Sequence, residues 1–162
     1  MERPTEVRPC GECTMCCKLL NIRKCGNGGL ADFPFDKPAG ATCKHCHPGH
    51  GCRIFGTPEF PNLCKSYFCL WKVERDIPED ARPDKVHAIF NQEEPLPEFP
   101  RQRIISVQVD PDREINKQFI RFLEHGADVG LSFLLCGGGY GFAITNIPGL
   151  AKALEARERA DK

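Results

Sequence analysis

Ten of the eleven cysteines of this chain lie within residues 10–69, and this clustering constrains the fold more than any other feature. Nine of these ten occur in three segments, which read CGECTMCC at 10–17, CKHCHPGHGC at 43–52 and CKSYFC at 64–69, and Cys25 lies between the first two. Residues 24–51 are rich in Gly and Pro and contain few apolar side chains. Such a segment buries too little apolar surface to offset the entropy lost on folding. We therefore expect a metal to cross-link this region.

The compartment decides how clustered cysteines are interpreted. The N-terminal residues MERPTEVRPCGEC contain no apolar segment, so we expect no signal peptide. Secreted disulfide scaffolds usually carry an even number of cysteines, whereas this chain has eleven. No apolar run approaches the roughly 20 residues of a membrane span. The sequence therefore predicts a cytoplasmic protein in which the thiols bind metal, in preference to redox thiols or disulfides.

The charge balance argues against two classes of partner. Lys and Arg total 22, and Asp and Glu also total 22, so the formal net charge is zero. Binding to nucleic acid or to an anionic membrane surface is driven by excess positive charge. We therefore expect no nucleic-acid or membrane partner, and no protein partner is indicated by the sequence.

The cysteine spacing permits two kinds of metal site. Structural zinc is usually held by two C-x-x-C pairs, and Cys13/Cys16 with Cys43/Cys46 would meet that pattern. Iron–sulfur clusters often take three closely spaced cysteines and a remote one, which Cys10, Cys13 and Cys16 would begin. The doubled cysteine at 16–17 is not typical of a zinc site, so the sequence favours an iron–sulfur cluster, with [4Fe–4S] preferred and zinc as the alternative.

Other residues with chemical potential are given simpler interpretations. His45, His47 and His50 lie among the cysteines and could each replace a thiolate, but thiols are already in excess. GGGYG at 137–141 is followed by a predicted strand, so it indicates a hairpin turn and not a phosphate-binding loop. Cys136 stands alone and is interpreted as a buried apolar residue.

The second half of the chain has a more regular pattern. KVHAIF at 85–90 and RIISVQV at 103–109 are rich in Val and Ile and predict strands. DREINKQFIRFLEHG at 112–126 predicts an amphipathic helix with Gly126 as its stop. LSFLLC and YGFAIT predict a second pair of strands, and residues 146–162 predict a final helix. The order is β-β-α-β-β-α, and we expect an antiparallel sheet with both helices on one face.

The two halves are expected to form one compact unit. The predicted regions are a cysteine-rich metal-binding region at 1–75 and an α+β sheet region at 76–162. The segment between them, residues 76–84, is too short and too poor in Gly and Ser for a flexible linker. The overall fold class is therefore α+β, with a small irregular cysteine-rich region packed on the sheet. We expect Trp71, the only tryptophan, to be largely buried.

The cysteine pattern resembles that of a known bacterial family. Residues 10–90 resemble YkgJ-type cysteine-cluster proteins, which are described as zinc- or iron-chelating. The shared features are the C-x-x-C-x-x-C-C run, Lys37-Pro38, the Gly-Cys-Arg-Ile at 51–54, the Cys-Leu-Trp at 69–71 and the Arg-Pro-Asp at 82–84. The resemblance implies that eight cysteines form the site. With Cys46 of the second C-x-x-C pair, the predicted metal ligands are Cys10, Cys13, Cys16, Cys17, Cys43, Cys46, Cys52, Cys64 and Cys69.

The predicted function is metal binding with an unassigned biological role. No acid–base pair or cofactor motif accompanies the cysteines, so a binding module is favoured over an enzyme and no reaction is assigned. Two alternatives stay open: a zinc-binding structural module, and an iron–sulfur-dependent component of an oxidoreductase or transferase. The second draws on the similar cysteine motif of flagellin lysine methylases.

Overall fold

A computed structural model of the chain describes residues 7–22, 35–137 and 140–160. The chain divides into two compact units, Met1–Asp84 and Lys85–Lys162. Helices and sheets occur together, and the cysteine-rich region belongs to the first unit, so the predicted α+β class is confirmed. No helix among the described residues has the length and apolar character needed to cross a membrane.

The first unit is built from very short elements. Its described segments contain one hairpin and four helical turns: α1 Met15–Leu19, β1 Cys46–His47, β2 Gly51–Cys52, α2 Asn62–Ser66, α3 Leu70–Val73 and a 3-10 turn at Glu79–Ala81. The β1 and β2 strands pair antiparallel. Isolated helices of this length are unstable in water, so tertiary contacts must maintain them.

Trp71 lies on α3 and is 3% exposed, as expected. Its indole N–H donates to the carbonyl of Pro78 at 3.3 Å, and the guanidinium of Arg8 lies 5.0 Å from the centre of its ring. The same guanidinium donates to the carbonyls of Ile77 at 2.7 Å and Arg75 at 2.6 Å. Arg8 thus joins the segment before the first cysteine to the segment after the last one in the cluster.

The strand predicted at 85–90 begins later in the structure. Residues Pro83–Val86 form a short helix, α4, because proline fits the first position of a helix, where no N–H partner is needed. His87 then adopts a left-handed backbone with a φ of 54°, which ends the helix. The strand, β3, therefore spans Ala88–Glu93.

The second unit contains a four-stranded mixed sheet in the order β3-β4-β5-β6. The remaining elements are β4 Ile104–Val109, α5 Lys117–Asp128, β5 Ser132–Gly137, β6 Tyr140–Ile144 and α6 Leu150–Ala160. The predicted element order and the β5–β6 hairpin are confirmed. However, β4 and β5 run parallel, with Ser106 opposite Leu134, so the sheet is not wholly antiparallel. The reason is that α5 lies in the connection and carries the chain back before β5 starts.

The two long helices lie on opposite faces of this sheet, whereas the sequence analysis placed both on one face. Phe90 of β3 contacts Phe119 of α5 edge to face, with ring centres 5.6 Å apart. On the other face, Leu134 packs with Leu150 and Leu154 of α6. Each central strand carries adjacent buried apolar residues, such as Phe133 and Leu134, and neighbouring residues in a strand point to opposite faces. Both faces are therefore covered.

Helix α5 begins and ends at positions that differ from the prediction. Asn116 caps it, since its side-chain oxygen accepts from the backbone N–H of Gln118 at 2.8 Å. Gly126 does not stop the helix; a Cβ at this position would lie 2.7 Å from the ring of Phe133, so the glycine allows the helix to approach β5. The chain turns instead at Gly130, whose φ of 97° is left-handed.

Candidate metal centre

Helix α1 carries two adjacent cysteines at the centre of the cysteine region. The turn before it is closed by the N–H of Cys13 donating to the carbonyl of Cys10 at 3.1 Å. Met15 and Leu19, one helical turn apart, are buried, whereas Cys16 and Cys17 are half-buried. The segment thus forms a turn at residues 10–13 and continues into the helix that begins at Met15.

One group of thiols forms on the side of Cys17. The N–H of Cys43 donates to the carbonyl of Cys17 at 2.9 Å, and the N–H of Cys46 donates to the carbonyl of Cys43 at 2.9 Å. Cys46 begins β1 and lies opposite Cys52 in β2. The backbone therefore gathers the cysteines of the central segment beside the end of the first one. We call Cys17, Cys43 and Cys46 the central thiol group.

A second group forms on the side of Cys13. The N–H of Arg8 donates to the carbonyl of Lys72 at 3.0 Å, which places the chain leading to Cys10 beside the chain leaving Cys69. The thiols of Cys10, Cys13 and Cys69 lie within electrostatic range of Tyr67. We call Cys10, Cys13 and Cys69 the flanking thiol group. Cys16 lies within electrostatic range of members of both groups.

The adjacent thiols of α1 differ in their tendency to ionise. The Cys17 thiol donates a hydrogen bond to the sulfur of Cys16, and this bond lowers the pKa of Cys16 to about 7. The same bond raises the pKa of Cys17, because ionisation would remove the shared proton. The thiolate is the form of cysteine that binds metal, so Cys16 is the thiol best prepared to bind first.

Burial acts in the opposite direction on the surrounding thiols. Burial raises the pKa of Cys13 to about 12 and that of Cys69 to about 11. Burial also raises the pKa of Cys46, although a hydrogen bond from the Thr14 hydroxyl to its sulfur opposes the effect. A thiol in an apolar setting keeps its proton until a cation replaces it. Metal binding at these positions would therefore release protons.

Comparison with known proteins identifies the family. The chain is 36% identical over 69 residues to the UPF0153 protein PA1578.1 of Pseudomonas aeruginosa, a match that covers 43% of this chain and 77% of that protein. The chain belongs to the UPF0153 family. The resemblance to YkgJ-type cysteine-rich proteins is thereby confirmed. No family model matches the chain, and no solved structure matches it either.

Membership of the UPF0153 family and the cysteine-rich region together indicate metal binding. The donor type fits this, because thiolates are soft ligands that select zinc, Cu(I) and iron–sulfur clusters. The thiols of the described residues do not form a complete coordination site in the structure, however. In segments 7–22, 35–137 and 140–160, no three Cys, His, Asp or Glu side chains are placed so that they could hold one metal ion. Side-chain movement must therefore complete any coordination sphere that the two thiol groups form.

The histidines of the cysteine region make contacts with other rings. His47 and His50 stack on each other in the exposed turn between β1 and β2, with ring centres 4.3 Å apart. His45 is half-buried and tilts against Phe35 at 5.8 Å. That the three histidines are not required as ligands stays a prediction.

Three further cysteines complete the account. Cys64 lies on α2 and is half-buried, and Cys25 lies outside the described residues. Cys136 is not the buried apolar residue that the sequence analysis expected. It is half-buried on β5, where it packs against the apolar cluster that contains Leu134, and it lines a cavity of about 400 Å³ with the polar residues Ser106 and Gln108 and with Arg157 and Glu158 of α6.

Lys37 is part of the family motif, but the sequence indicates no role for it. In the structure its side chain is 2% exposed, which is unusual for a lysine. Burial lowers the pKa of its amino group, whereas the charges of Cys43 and Cys17 in the central thiol group raise it. A lysine in a segment of Gly and Pro is normally solvated, so composition alone could not have indicated its burial.

Proposed function

We propose that this chain is a cytosolic metal-binding protein that holds an iron–sulfur cluster, of the [4Fe–4S] type, through the thiolates of residues 10–69. The observation that carries the proposal is the convergence of two thiol groups on α1, with Cys16 in electrostatic range of both. The proposed ligands are drawn from Cys10, Cys13, Cys16, Cys17, Cys43, Cys46, Cys52, Cys64 and Cys69.

The spacing of the first three cysteines supports a cluster over a single ion. Cys10, Cys13 and Cys16 follow the C-x-x-C-x-x-C spacing, and the backbone hydrogen bond from Cys13 to Cys10 curls this segment. Cys69 then serves as the remote cysteine, since Arg8 ties its segment beside Cys10. Three near ligands and one remote ligand are a common arrangement for iron–sulfur clusters. A bound cluster would supply an electron-transfer centre or a structural cross-link at this position.

Zinc is the second candidate, and the central thiol group favours it. Cys43 and Cys46 form a tight turn closed by a hydrogen bond of 2.9 Å, which suits a C-x-x-C pair in a tetrahedral site. Cys17 lies beside this turn through its carbonyl. A zinc ion here would act as a structural staple of the first unit.

The test is purification of the full chain without oxygen, followed by analysis of iron, sulfide and zinc and a visible spectrum. A cluster predicts about four iron and four sulfide per chain and a broad visible absorption that bleaches on reduction. Colourless protein with stoichiometric zinc would overturn the cluster and support the zinc staple. Protein that binds neither metal would overturn metal binding altogether.

Variants of single cysteines separate the site from incidental thiols. Cys16→Ser should lower the bound metal severely, because the pKa of Cys16 is lowered and the residue is in electrostatic range of both groups. Cys136→Ser is the matched control, since Cys136 lies in the second unit on β5. Equal metal content in the two variants would contradict the proposed ligand set.

A further inference from the structure

Lys37 places a buried amino group in the part of the chain that carries the fewest apolar residues. Its backbone forms an isolated bridge to Ile22, with N–H to carbonyl distances of 2.8 and 2.7 Å. The bridge holds the residue at the end of α1, and the side chain is 2% exposed. Burying a lysine is unfavourable unless its amino group is hydrogen-bonded and its charge is compensated.

Three hydrogen bonds fix the amino group. Its nitrogen Nζ donates to the carbonyl of Lys18 at 3.0 Å, to that of Leu20 at 2.5 Å and to that of Pro38 at 3.2 Å. An ammonium group has three N–H donors and no acceptor, so all three are used. A neutral amine would have only two, and its lone pair would face a carbonyl oxygen. Burial lowers the pKa of this group, but the three carbonyls around Nζ match the three donors of the charged form.

The position of this charge relates it to the thiols. Lys18 directly follows Cys17 in α1, and the carbonyl of Cys17 accepts from Cys43. The thiols of Cys43, Cys17, Cys16 and Cys46 all lie within electrostatic range of the ammonium group. Because the three N–H donors are committed to carbonyls, Lys37 acts on the sulfur atoms through its charge and not through a hydrogen bond.

We propose that Lys37 is the built-in counter-charge of the metal centre, and that its fixed ammonium group offsets the negative charge of the assembled thiolates. This inference rests on the proposed function and adds a positioning residue to it. Four thiolates around a divalent ion leave a net charge of about −2, and such a centre is unfavourable in a half-buried site without a nearby cation. An immobile cation lowers that penalty with no reorganisation when metal binds.

The experiment measures Zn²⁺ affinity of the full chain by competition with a chelator, under reducing conditions, for four variants. Lys37→Gln keeps hydrogen-bond donors but removes the charge, Lys37→Met removes both, and Lys37→Arg keeps both. Lys117→Met is the matched control, because Lys117 is an exposed lysine of α5 and the change in net charge is the same. Circular dichroism of each variant checks that it folds.

We expect Lys37→Gln and Lys37→Met to weaken Zn²⁺ binding by about tenfold or more, Lys37→Arg to restore most of it, and Lys117→Met to match the unaltered protein. If the protein is purified with an iron–sulfur cluster, Lys37→Gln should also shift the reduction potential of the cluster to a more negative value and leave the visible spectrum unchanged. Loss of the hydrogen bonds of Lys37 alone would not produce this effect.

The outcomes distinguish this inference from the proposed function. Unchanged affinity in Lys37→Gln, or equal losses in Lys37→Gln and Lys37→Arg, would overturn the counter-charge while metal binding stands. If Lys37→Met alone fails to fold, the comparison of the Gln and Arg variants still decides the matter. If the unaltered chain binds neither Zn²⁺ nor a cluster, the proposed function fails and the inference falls with it.

Discussion

The two units of this chain are stabilised by different means. Described elements of the unit Met1–Asp84 are two to five residues long, whereas those of the unit Lys85–Lys162 that follow His87 are five to twelve residues long. In the second unit, residues such as Phe90, Leu134 and Leu154 are buried on the two faces of a sheet. In the first unit, the buried apolar set includes two of the cysteines, Cys46 and Cys69.

The comparison shows that two units of one chain can be stabilised by different interactions. A sheet covered by helices buries enough apolar surface to offset the entropy of ordering the chain. The first unit has short turns, a buried lysine and thiols whose pKa values are raised by burial. We therefore expect bound metal to stabilise the first unit and to have no direct effect on the second.

Removal of metal should have the largest effect, and it should be confined to the first unit. A strong chelator in the presence of reductant should expose Trp71, which is 3% exposed in the structure, because the cross-links that order its surroundings are lost. The measurements are a red shift and iodide quenching of its fluorescence, together with limited proteolysis mapped by mass spectrometry. Cleavage should appear within residues 10–70, while the sheet of the second unit stays protected. Resistance of residues 10–70 to proteolysis after complete metal removal would contradict the comparison.

A large substitution in the sheet should produce the reverse pattern. Phe90 is 1% exposed and contacts Phe119 at 5.6 Å, so Phe90→Ala should lower the free energy of unfolding by about 3–5 kcal/mol. Denaturant unfolding followed by circular dichroism measures this loss, and metal content per folded chain should not change. Phe142→Ala, at a position 44% exposed on β6, is the control and should change stability by about 0.5 kcal/mol or less. Similar losses in the two variants would disprove the assigned core.

The smallest predicted effect comes from the cap of α5. Asn116→Ala removes the side-chain oxygen that accepts from Gln118, so the free energy of unfolding should fall by about 1 kcal/mol. Asn116→Asp keeps an acceptor at this position and should retain most of the stability. The same unfolding measurement applies, with the metal content as a second readout. A change in metal content in Asn116→Ala would show that the units are coupled more strongly than this comparison implies.

The sequence predicted the elements of the second unit well, because their apolar residues recur with clear periods. Strands β4 and β5 lie within one residue of the predicted segments. The pattern could not predict which strands would pair, since a run such as Ile-Ile-Ser-Val describes burial on both faces but not the direction of its neighbour. Gly126 was misread for a related reason: its need for close approach to Phe133 is a tertiary contact.

In the candidate site, the family pattern identified residue types and their order but not their grouping. The division of the thiols into a central and a flanking group depends on hydrogen bonds such as Cys43 to Cys17 and Arg8 to Lys72, which join distant segments. The role of Lys37 likewise depends on carbonyls of residues 18 and 20, and backbone carbonyls carry no sequence signal. Spacing alone therefore gives a list of ligands without their geometry.

The parallel pairing of β4 with β5 has a consequence for folding kinetics. Partners in the β5–β6 hairpin, such as Leu135 and Phe142, are 7 residues apart, and those in the β3–β4 pair, such as Asn91 and Ser106, are 15 apart. Ser106 and Leu134, which join the two pairs, are 28 apart. Closing the longest loop has the highest entropic cost, and non-local contacts slow folding. We therefore expect the pairing of β4 with β5, across the connection that contains α5, to be the slowest step in forming the sheet.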